Sequence, residues 1–261
     1  MSDIEQSIKD KIEAVGTPLK DWDIQINYGI KTGFNDAFII SSEKRDEILA
    51  NCRDEAERNR TADLIRPILR GRDIKRYGYD WAGLWLINTH NGVKGKYPPI
   101  DINDYPAVKQ HLDCYWDKLK NRDDKGITPY NLRNCAYMDD FNKPKIVWGN
   151  LNISAAYASV PEGMFINAPS TMIVTSKESL LCILNSKLAD YFIRNLGVTR
   201  NGGYFEYKPM FIEQLPIPTK IDENLFSLYQ GNELKYDDQI NQLVYRIYGL
   251  TDEEIAFIET C

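Results

Sequence analysis

The stretch "STMIVTSKESLLCILNSKLADYFIRNLG", residues 170–197, decides the class of fold. Its first part, residues 170–175, is an apolar run with the β-branched side chains that are typical of a strand. Thr175 and Glu178 then have the spacing of a helix capping box, and the apolar pattern continues to Leu196, just before a glycine. Because a predicted strand leads directly into a predicted helix, the stretch favours a domain in which helices and strands share one core.

The rest of the chain also contains both kinds of apolar pattern, that of a strand and that of a helix. Ser2 and Glu5 form a second capping box, and isoleucines recur at helical spacing, which predicts a helix over residues 2–15. The motif "LPIP", residues 215–218, is expected to be irregular and to mark the edge of a domain. Further strands are predicted at residues 21–28, 37–40, 83–89, 145–150 and 155–160, and further helices within 43–66, 104–120 and 236–259. The patterns together predict an α+β fold.

Charge is distributed unevenly along the 261 residues, whose formal net charge is −6. The segment 219–261 contains three basic and nine acidic residues, so the remaining 218 residues sum to zero. A neutral body leaves room for a local basic surface, although the whole protein is acidic. The five scattered cysteines are expected to be reduced thiols of a cytoplasmic protein, and no apolar run is long enough to cross a membrane. With two histidines and no cluster of metal ligands, no metal site is predicted.

Basic residues concentrate in the stretch "RPILRGRDIKRYGY", residues 66–79, which we call the basic strip. It is either a solvated surface or an edge that contacts phosphates, and arginine favours bidentate contacts. Three further polar segments are candidate contact loops: residues 29–38, 148–152 and 198–208. Each could equally be an ordinary connection or, for Trp148, part of the core. The candidate DNA-binding residues are Lys31, Thr32, Asn35, Arg70, Arg72, Lys75, Arg76, Asn150, Asn152, Arg200, Asn201, Tyr204 and Lys208.

Motifs for catalysis are missing from the sequence. The segment "YPPI", residues 97–100, lacks the acid or amide and the aromatic residue of the loop with which amino-methyltransferases hold adenine. No glycine-rich loop follows a predicted strand, and neither a P-loop nor a nucleophile elbow is present. The chain alone is therefore predicted to have no catalytic residue.

The order of several segments resembles the TaqI-like C-terminal specificity domain of adenine-specific methyltransferases in restriction–modification and phage-defence systems. The resemblance runs through about residues 19–218, and its last helix and exit also look like the recognition domains of type I specificity subunits. It is carried by "LKDWDIQINYGIKTGFNDAFII" (19–40), "IRPILRGRDIKRY" (65–77), "YPAVKQHLDCYWDKLKNRDDKG" (105–126), "FNKPKIVWGN" (141–150), "CILNSKLADYFIRNLG" (182–197) and "QLPIP" (214–218).

This resemblance implies a mixed-sheet target recognition domain at residues 18–218, with packed helices. A linker helix (1–17) would precede it, and a short acidic helical C-terminal tail (219–261) would follow. Such a domain binds double-stranded DNA beside a methyltransferase domain or subunit, which would hold S-adenosylmethionine and flip the adenine. The chain carries no cofactor in this reading, and it is expected to be a fragment or a subunit of a larger enzyme.

Two other functions stay open from the sequence. The chain could be a protein-interaction or scaffold module whose basic strip pairs with its own acidic tail. It could also be a catalytic restriction subunit, which the missing motifs disfavour.

Overall fold

Strands Lys145–Trp148 and Thr171–Val174 lie side by side at the centre of the computed structural model, which describes residues 2–197 and 199–261. Tyr157–Val160 and Ile26–Tyr28 flank them, so four antiparallel strands form the central sheet. Met1 and Val198 lie outside the described residues; Val198 is the first residue of the predicted loop 198–208.

Both faces of the central sheet are buried, because its side chains alternate between two separate cores. Ile146 and Trp148 pack into one core, whereas Val147 between them packs into the other. Ile173 and Met172 divide in the same way. Since successive side chains of a strand point to opposite faces, a continuous apolar run is what a sheet covered on both sides requires.

The first core surrounds a mixed four-stranded sheet, in which Phe165–Ile166 pairs in parallel with Ile65–Leu69 and the other pairs are antiparallel. The second core contains helices from three parts of the chain: the N-terminal helix, the pair of helices after the central sheet, and the tail helices. Ile8 and Ile12 of the N-terminal helix meet Tyr245 and Tyr248 of the tail in this core.

Across residues 2–197 and 199–261 the chain forms twelve α-helices and fifteen short strands. The helices are α1 (Asp3–Val15), α2 (Asn35–Phe38), α3 (Ser42–Ala50), α4 (Glu55–Leu64), α5 (Pro106–Asp113), α6 (Trp116–Leu119), α7 (Glu178–Asn185), α8 (Lys187–Leu196), α9 (Pro209–Ile212), α10 (Asn224–Ser227), α11 (Asp237–Ile247) and α12 (Asp252–Glu259). The strands are β1 (Thr17–Pro18), β2 (Ile26–Tyr28), β3 (Ile39–Ser41), β4 (Ile65–Leu69), β5 (Ile74–Lys75), β6 (Gly78–Tyr79), β7 (Leu84–Ile87), β8 (Lys145–Trp148), β9 (Leu151–Asn152), β10 (Tyr157–Val160), β11 (Phe165–Ile166), β12 (Thr171–Val174), β13 (Thr199–Arg200), β14 (Tyr204–Glu206) and β15 (Pro216–Ile217).

The α+β prediction is confirmed, as are the capping boxes of α1 and α12. The predicted long helix before Leu196 is wrong, because Ser186 has extended backbone angles and separates α7 from α8. Its hydroxyl accepts the Ala189 N–H at 3.2 Å and so caps the second helix. The predicted capping box at Thr175 is also absent, since that hydroxyl accepts from Lys177 and the helix begins at Glu178.

Two further predictions are wrong in detail. "LPIP" is not irregular: β15 pairs antiparallel with β1, next to the buried Leu215. Its prolines are tolerated because a two-residue ladder at an edge needs few N–H donors. The predicted strand 37–40 begins as the helical turn α2, and only Ile39–Ser41 is extended.

Candidate nucleic-acid interface

Three predicted contact segments meet at one groove with a volume of about 700 Å³. They are the basic strip, the loop around residues 149–156 and the segment 204–208, which contains β14; the predicted residues Arg200 and Asn201 do not line this groove. Seven of the predicted DNA-binding residues line this groove: Arg72, Lys75, Arg76, Asn150, Asn152, Tyr204 and Lys208. We call it the main groove.

Glycines allow the basic strip to approach the asparagine loop. Gly71 belongs to a short 3-10 turn between β4 and β5, and it lies against Gly149. A Cβ atom added to Gly149 would come 3.3 Å from the carbonyl oxygen of Gly71. The two backbones can therefore lie closer than residues with side chains would permit.

Charges in the basic strip differ in their availability. Arg70 does not line the main groove, because its guanidinium binds Asp73 through Nε–Oδ2 at 3.0 Å and Nη2–Oδ1 at 2.7 Å. Arg76 binds the tail carboxylate of Asp237 at 2.6 Å. Arg72 and Lys75 are exposed, and neither forms an ion pair with any residue in 2–197 or 199–261. Among the cations of the strip that line the main groove, these two have no acidic partner in the described ranges, and we call them the free cations; the ammonium group of Lys75 donates to the carbonyl of Arg72 at 2.7 Å.

The predicted loop 198–208 is largely a β-hairpin. Arg200 pairs with Tyr204 across a three-residue turn in which Gly202 and Gly203 have φ of 82° and 80°. Such positive φ values favour glycine, and Asn201 before them is exposed at the tip. The hairpin then pairs with β9, so Phe205 lies beside Asn152 in the ladder. The predicted DNA-binding residues on this element are therefore held by a sheet of three strands rather than by a free loop.

Buried polar residues of α8 and β8 anchor both the hairpin and the asparagine loop. Asp190 Oδ1 accepts from the Ala155 N–H at 3.0 Å and from the Tyr207 hydroxyl at 2.5 Å. The indole of Trp148 donates to the Tyr207 carbonyl at 2.8 Å. Trp148 is fully buried, so the alternative that it belongs to the core is correct. The conformation of the main groove is thus fixed from beneath by hydrogen bonds.

The two asparagines of the loop have different surroundings. Asn152 donates from Nδ2 to the carbonyl of Gly149 at 2.8 Å, which holds the loop turned. Within the described residues, Oδ1 of Asn150 is buried and accepts no hydrogen bond. A buried acceptor without a donor is uncommon in proteins, and this one meets a ligand N–H group only if the side chain of Asn150 turns towards the groove.

The loop 29–35 lies at a neighbouring groove rather than at the main one. Lys31 lines that groove together with Arg133, and both side chains bind Asp124 at 3.0 Å. Thr32 and Asn35 line neither groove: Thr32 is only 1% exposed and donates its hydroxyl to Asn35 Oδ1 at 2.6 Å. The structure therefore brings Lys31 to the surface and uses Thr32 to shape the loop.

The main groove, the Lys31 groove and a third groove are neighbours that share lining residues. Pro169 lines both the main groove and the Lys31 groove. The segment 134–136 lines both the Lys31 groove and a third groove beside the loop 91–97, where Lys94 is exposed. The sequence analysis missed Arg133 and Lys94, although "NGVKGKY" has the same mixture of glycine and lysine as the segments that it singled out.

Apolar side chains also face solvent at the main groove. Leu151 is 54% exposed and Ile153 is 63% exposed, and both line the groove. Neither residue was among the predicted contact residues, which were chosen for polar and basic side chains. Exposed aliphatic groups at a polar groove can contact the methyl group of thymine.

Residues 2–197 and 199–261 contain neither a membrane-spanning helix nor a cluster of metal ligands. No helix there has the length and apolar character needed to cross a bilayer. No group of three or more histidine, cysteine or acidic side chains in the same ranges is arranged to hold a metal ion.

Comparison with known proteins gives a family and two similar folds. The model of the TaqI-like C-terminal specificity domain matches residues 66–217. The structure of the type IIL restriction-modification enzyme MmeI in complex with DNA aligns with a TM-score of 0.64 and 14% identity, over 94% of this chain and 36% of MmeI. The type IIG restriction endonuclease BpuSI aligns with a TM-score of 0.57 and 15% identity, over 94% of this chain and 32% of BpuSI. No curated protein sequence shows significant similarity to this chain.

Proposed function

Because the chain belongs to the family of TaqI-like C-terminal specificity domains, we propose that it recognises a short nucleotide sequence in double-stranded DNA. The main groove is the contact surface in this proposal. The observation that carries it is the convergence of Arg72, Lys75 and Lys208 with Asn150 and Asn152 on one groove. Lysine and arginine neutralise phosphates, which sets the register, whereas asparagine pairs with an adenine edge.

The chain would act as part of a larger enzyme. It spans about a third of the length of MmeI and BpuSI. We infer that a methyltransferase domain or subunit accompanies it, holds S-adenosylmethionine and modifies adenine at N6. The system would be restriction–modification or phage defence in the cytoplasm. The specificity domain would select the site, and the neighbouring part would carry out the chemistry.

Salt dependence tests whether the free cations touch DNA. Replacing Arg72 and Lys75 with alanine together should weaken binding to selected and random duplexes alike, because phosphates carry no sequence information. The slope of log affinity against log salt should fall by about two, roughly one for each lost phosphate contact. Lys9→Ala with Lys118→Ala removes the same charge from exposed sites on α1 and α6 and should leave the slope unchanged.

Selection of bound duplexes from a random library tests recognition itself. The full chain should enrich one short sequence. Enrichment of no sequence, together with an unchanged salt slope in the double variant, would overturn DNA recognition at the main groove.

One contact favours the rival function of an interaction module. Asp237 of the tail accepts from Arg76 at 2.6 Å and from the Tyr77 hydroxyl at 3.2 Å. Deleting the tail would not separate the hypotheses, because Tyr245 and Tyr248 belong to the second core. Asp237→Asn releases Arg76 and leaves the core in place. Under DNA recognition this variant should bind random duplexes more tightly with a steeper salt slope; unchanged DNA binding would favour the interaction module.

A further inference from the structure

Glu206 is a buried acid in the main groove, whose other charged lining residues are all basic. It lines the main groove from β14, yet it is only 4% exposed. An unpaired carboxylate in this position would repel phosphates and would be costly to bury. Glu206 is therefore expected to have cationic partners, and it has two: Arg200 on β13 and Lys208 just after β14.

Each carboxylate oxygen of Glu206 serves a different basic residue. Oε1 accepts from Nε of Arg200 at 2.6 Å and also from its Nη2. Oε2 accepts from the ammonium group of Lys208 at 2.9 Å. Hydrogen bonds from Lys208 and then from Arg200 hold the pKa of Glu206 below its usual range, so the carboxylate stays charged at neutral pH.

The ion pairs leave part of each cation free. The side chain of Arg200 is 55% exposed and that of Lys208 is 40% exposed. Glu206 occupies the Nε/Nη2 edge of the guanidinium, so the edge formed by Nη1 and Nη2 remains for another bidentate acceptor. O6 and N7 of guanine are such an acceptor pair in the major groove.

We propose that Glu206 is a positioning residue for DNA sequence recognition: it orients the guanidinium of Arg200 toward a base edge and offsets part of the positive charge that attracts phosphates. This inference rests on the proposed function. Arg200 without its partner would rotate freely and would bind any nearby phosphate. Glu206 thus lowers the affinity for phosphates, which does not depend on sequence, and raises the selectivity of the protein for one DNA sequence.

Glu206→Gln tests both effects in the full chain, with the duplex that the wild type selects and a random duplex as probes. Affinity for the random duplex should rise and the salt slope should steepen by about one, since one negative charge is lost. The ratio of selected to random affinity should fall by about tenfold, the size of one bidentate base contact. Glu55→Gln removes an equal charge from an exposed site on α4 and should change neither quantity.

Two other variants separate charge from geometry. Glu206→Asp restores the charge with a shorter reach, so it should recover the wild-type salt slope without recovering the affinity ratio. Arg200→Lys keeps the charge and loses the fork, and it should lower the ratio about tenfold with little change of slope. Thermal unfolding of each variant verifies the fold; if Glu206→Gln does not fold, Arg200→Lys decides.

The outcomes distinguish this inference from the function on which it rests. Suppose that the wild type selects a sequence, but that Glu206→Gln or Arg200→Lys keeps the wild-type ratio of selected to random affinity. That result overturns the positioning role of Glu206 and leaves DNA recognition in place. A wild type that selects no sequence overturns DNA recognition instead.

Discussion

Asp73, the one acid of the basic strip, is almost fully buried, and both of its carboxylate oxygens accept hydrogen bonds from the guanidinium of Arg70. Asp73 also accepts from the backbone N–H of Arg70 at 2.8 Å. Burial alone would raise the pKa of Asp73, but these hydrogen bonds lower it. The charge of Arg70 is thus used within the protein, whereas those of Arg72 and Lys75 are not.

Arg70→Ala should therefore destabilise the protein without weakening its contact with phosphates. The substitution leaves a buried carboxylate unpaired, which costs about 3 kcal/mol in the free energy of unfolding. Urea titration measures that loss. The salt slope of DNA binding, measured on the same protein, should equal the wild-type slope. A lower slope would mean that Arg70 leaves Asp73 and binds phosphate in the complex.

Residue type alone could not separate these arginines. Of the predicted strip residues, Arg72, Lys75 and Arg76 line one groove, whereas Arg70 does not. The ion pair of Arg70 is local, because Asp73 is only three positions away in the chain. The partner of Arg76 is 161 positions away in the chain, so no local pattern could have revealed it.

Elements of the fold were predictable where their cause is local. The helices α1 and α12 carry their own capping boxes, and the apolar run of β8 predicts a strand whatever its neighbours. The hairpin of β13 and β14 was predicted as a loop, because the segment is rich in arginine, asparagine, glycine and tyrosine. It is a sheet because β9, about fifty positions earlier, pairs with it.

The break between α7 and α8 has a similar distant cause. Asn185 is fully buried, and its side chain accepts from the Tyr157 N–H at 2.9 Å and donates to the Tyr157 carbonyl at 2.9 Å. The side chain of Asn185, the last residue of α7, thus forms hydrogen bonds with the edge strand β10 of the kind that a neighbouring strand would form. The helix stops there, and Ser186 begins the next one.

Asn185→Ala should consequently be much more disruptive than its position at a helix end suggests. It leaves the buried N–H of Tyr157 without a partner, whereas the Tyr157 carbonyl keeps the hydrogen bond that it accepts from the Tyr77 N–H at 2.8 Å. One such unpaired group costs about 1–3 kcal/mol, so we expect a fall of about 2 kcal/mol in the free energy of unfolding, measured by urea titration. Asn195→Ala, at an exposed position near the end of α8, is the matched control and should change stability little. Similar values for the two variants would show that Asn185 does not hold the sheet edge.

At the scale of the whole molecule, the helices α1 and α12, from opposite ends of the chain, are in contact. Glu254, in the first turn of α12, accepts from the Ser7 hydroxyl and the Lys11 ammonium group of α1, both at 2.7 Å. It also accepts from the N–H of Thr251 in its own capping box. The sequence predicted the box, but not that the same carboxylate would bind α1. The tail is therefore part of the second core rather than a separate acidic appendage.

This junction predicts how stability depends on pH. Burial alone would raise the pKa of Glu254, but hydrogen bonds from Lys11, Thr251 and Ser7 lower it to about 2, from an ordinary value of 4.5. Because the folded protein binds this proton more weakly than the unfolded chain, the stabilisation is complete above about pH 5. It is lost as the pH falls towards 2, and it amounts to roughly 3 kcal/mol.

Glu254→Gln should remove that dependence. At pH 7 the variant should unfold with a free energy about 3 kcal/mol lower than the wild type, and the difference should shrink steadily between pH 5 and pH 2. Urea titrations across this range measure both quantities. The neighbouring Glu253→Gln alters an exposed carboxylate of the same turn and should leave the pH profile unchanged. A difference between wild type and Glu254→Gln that stays constant as the pH falls would show that the charged contact with Lys11 does not hold α12 against α1.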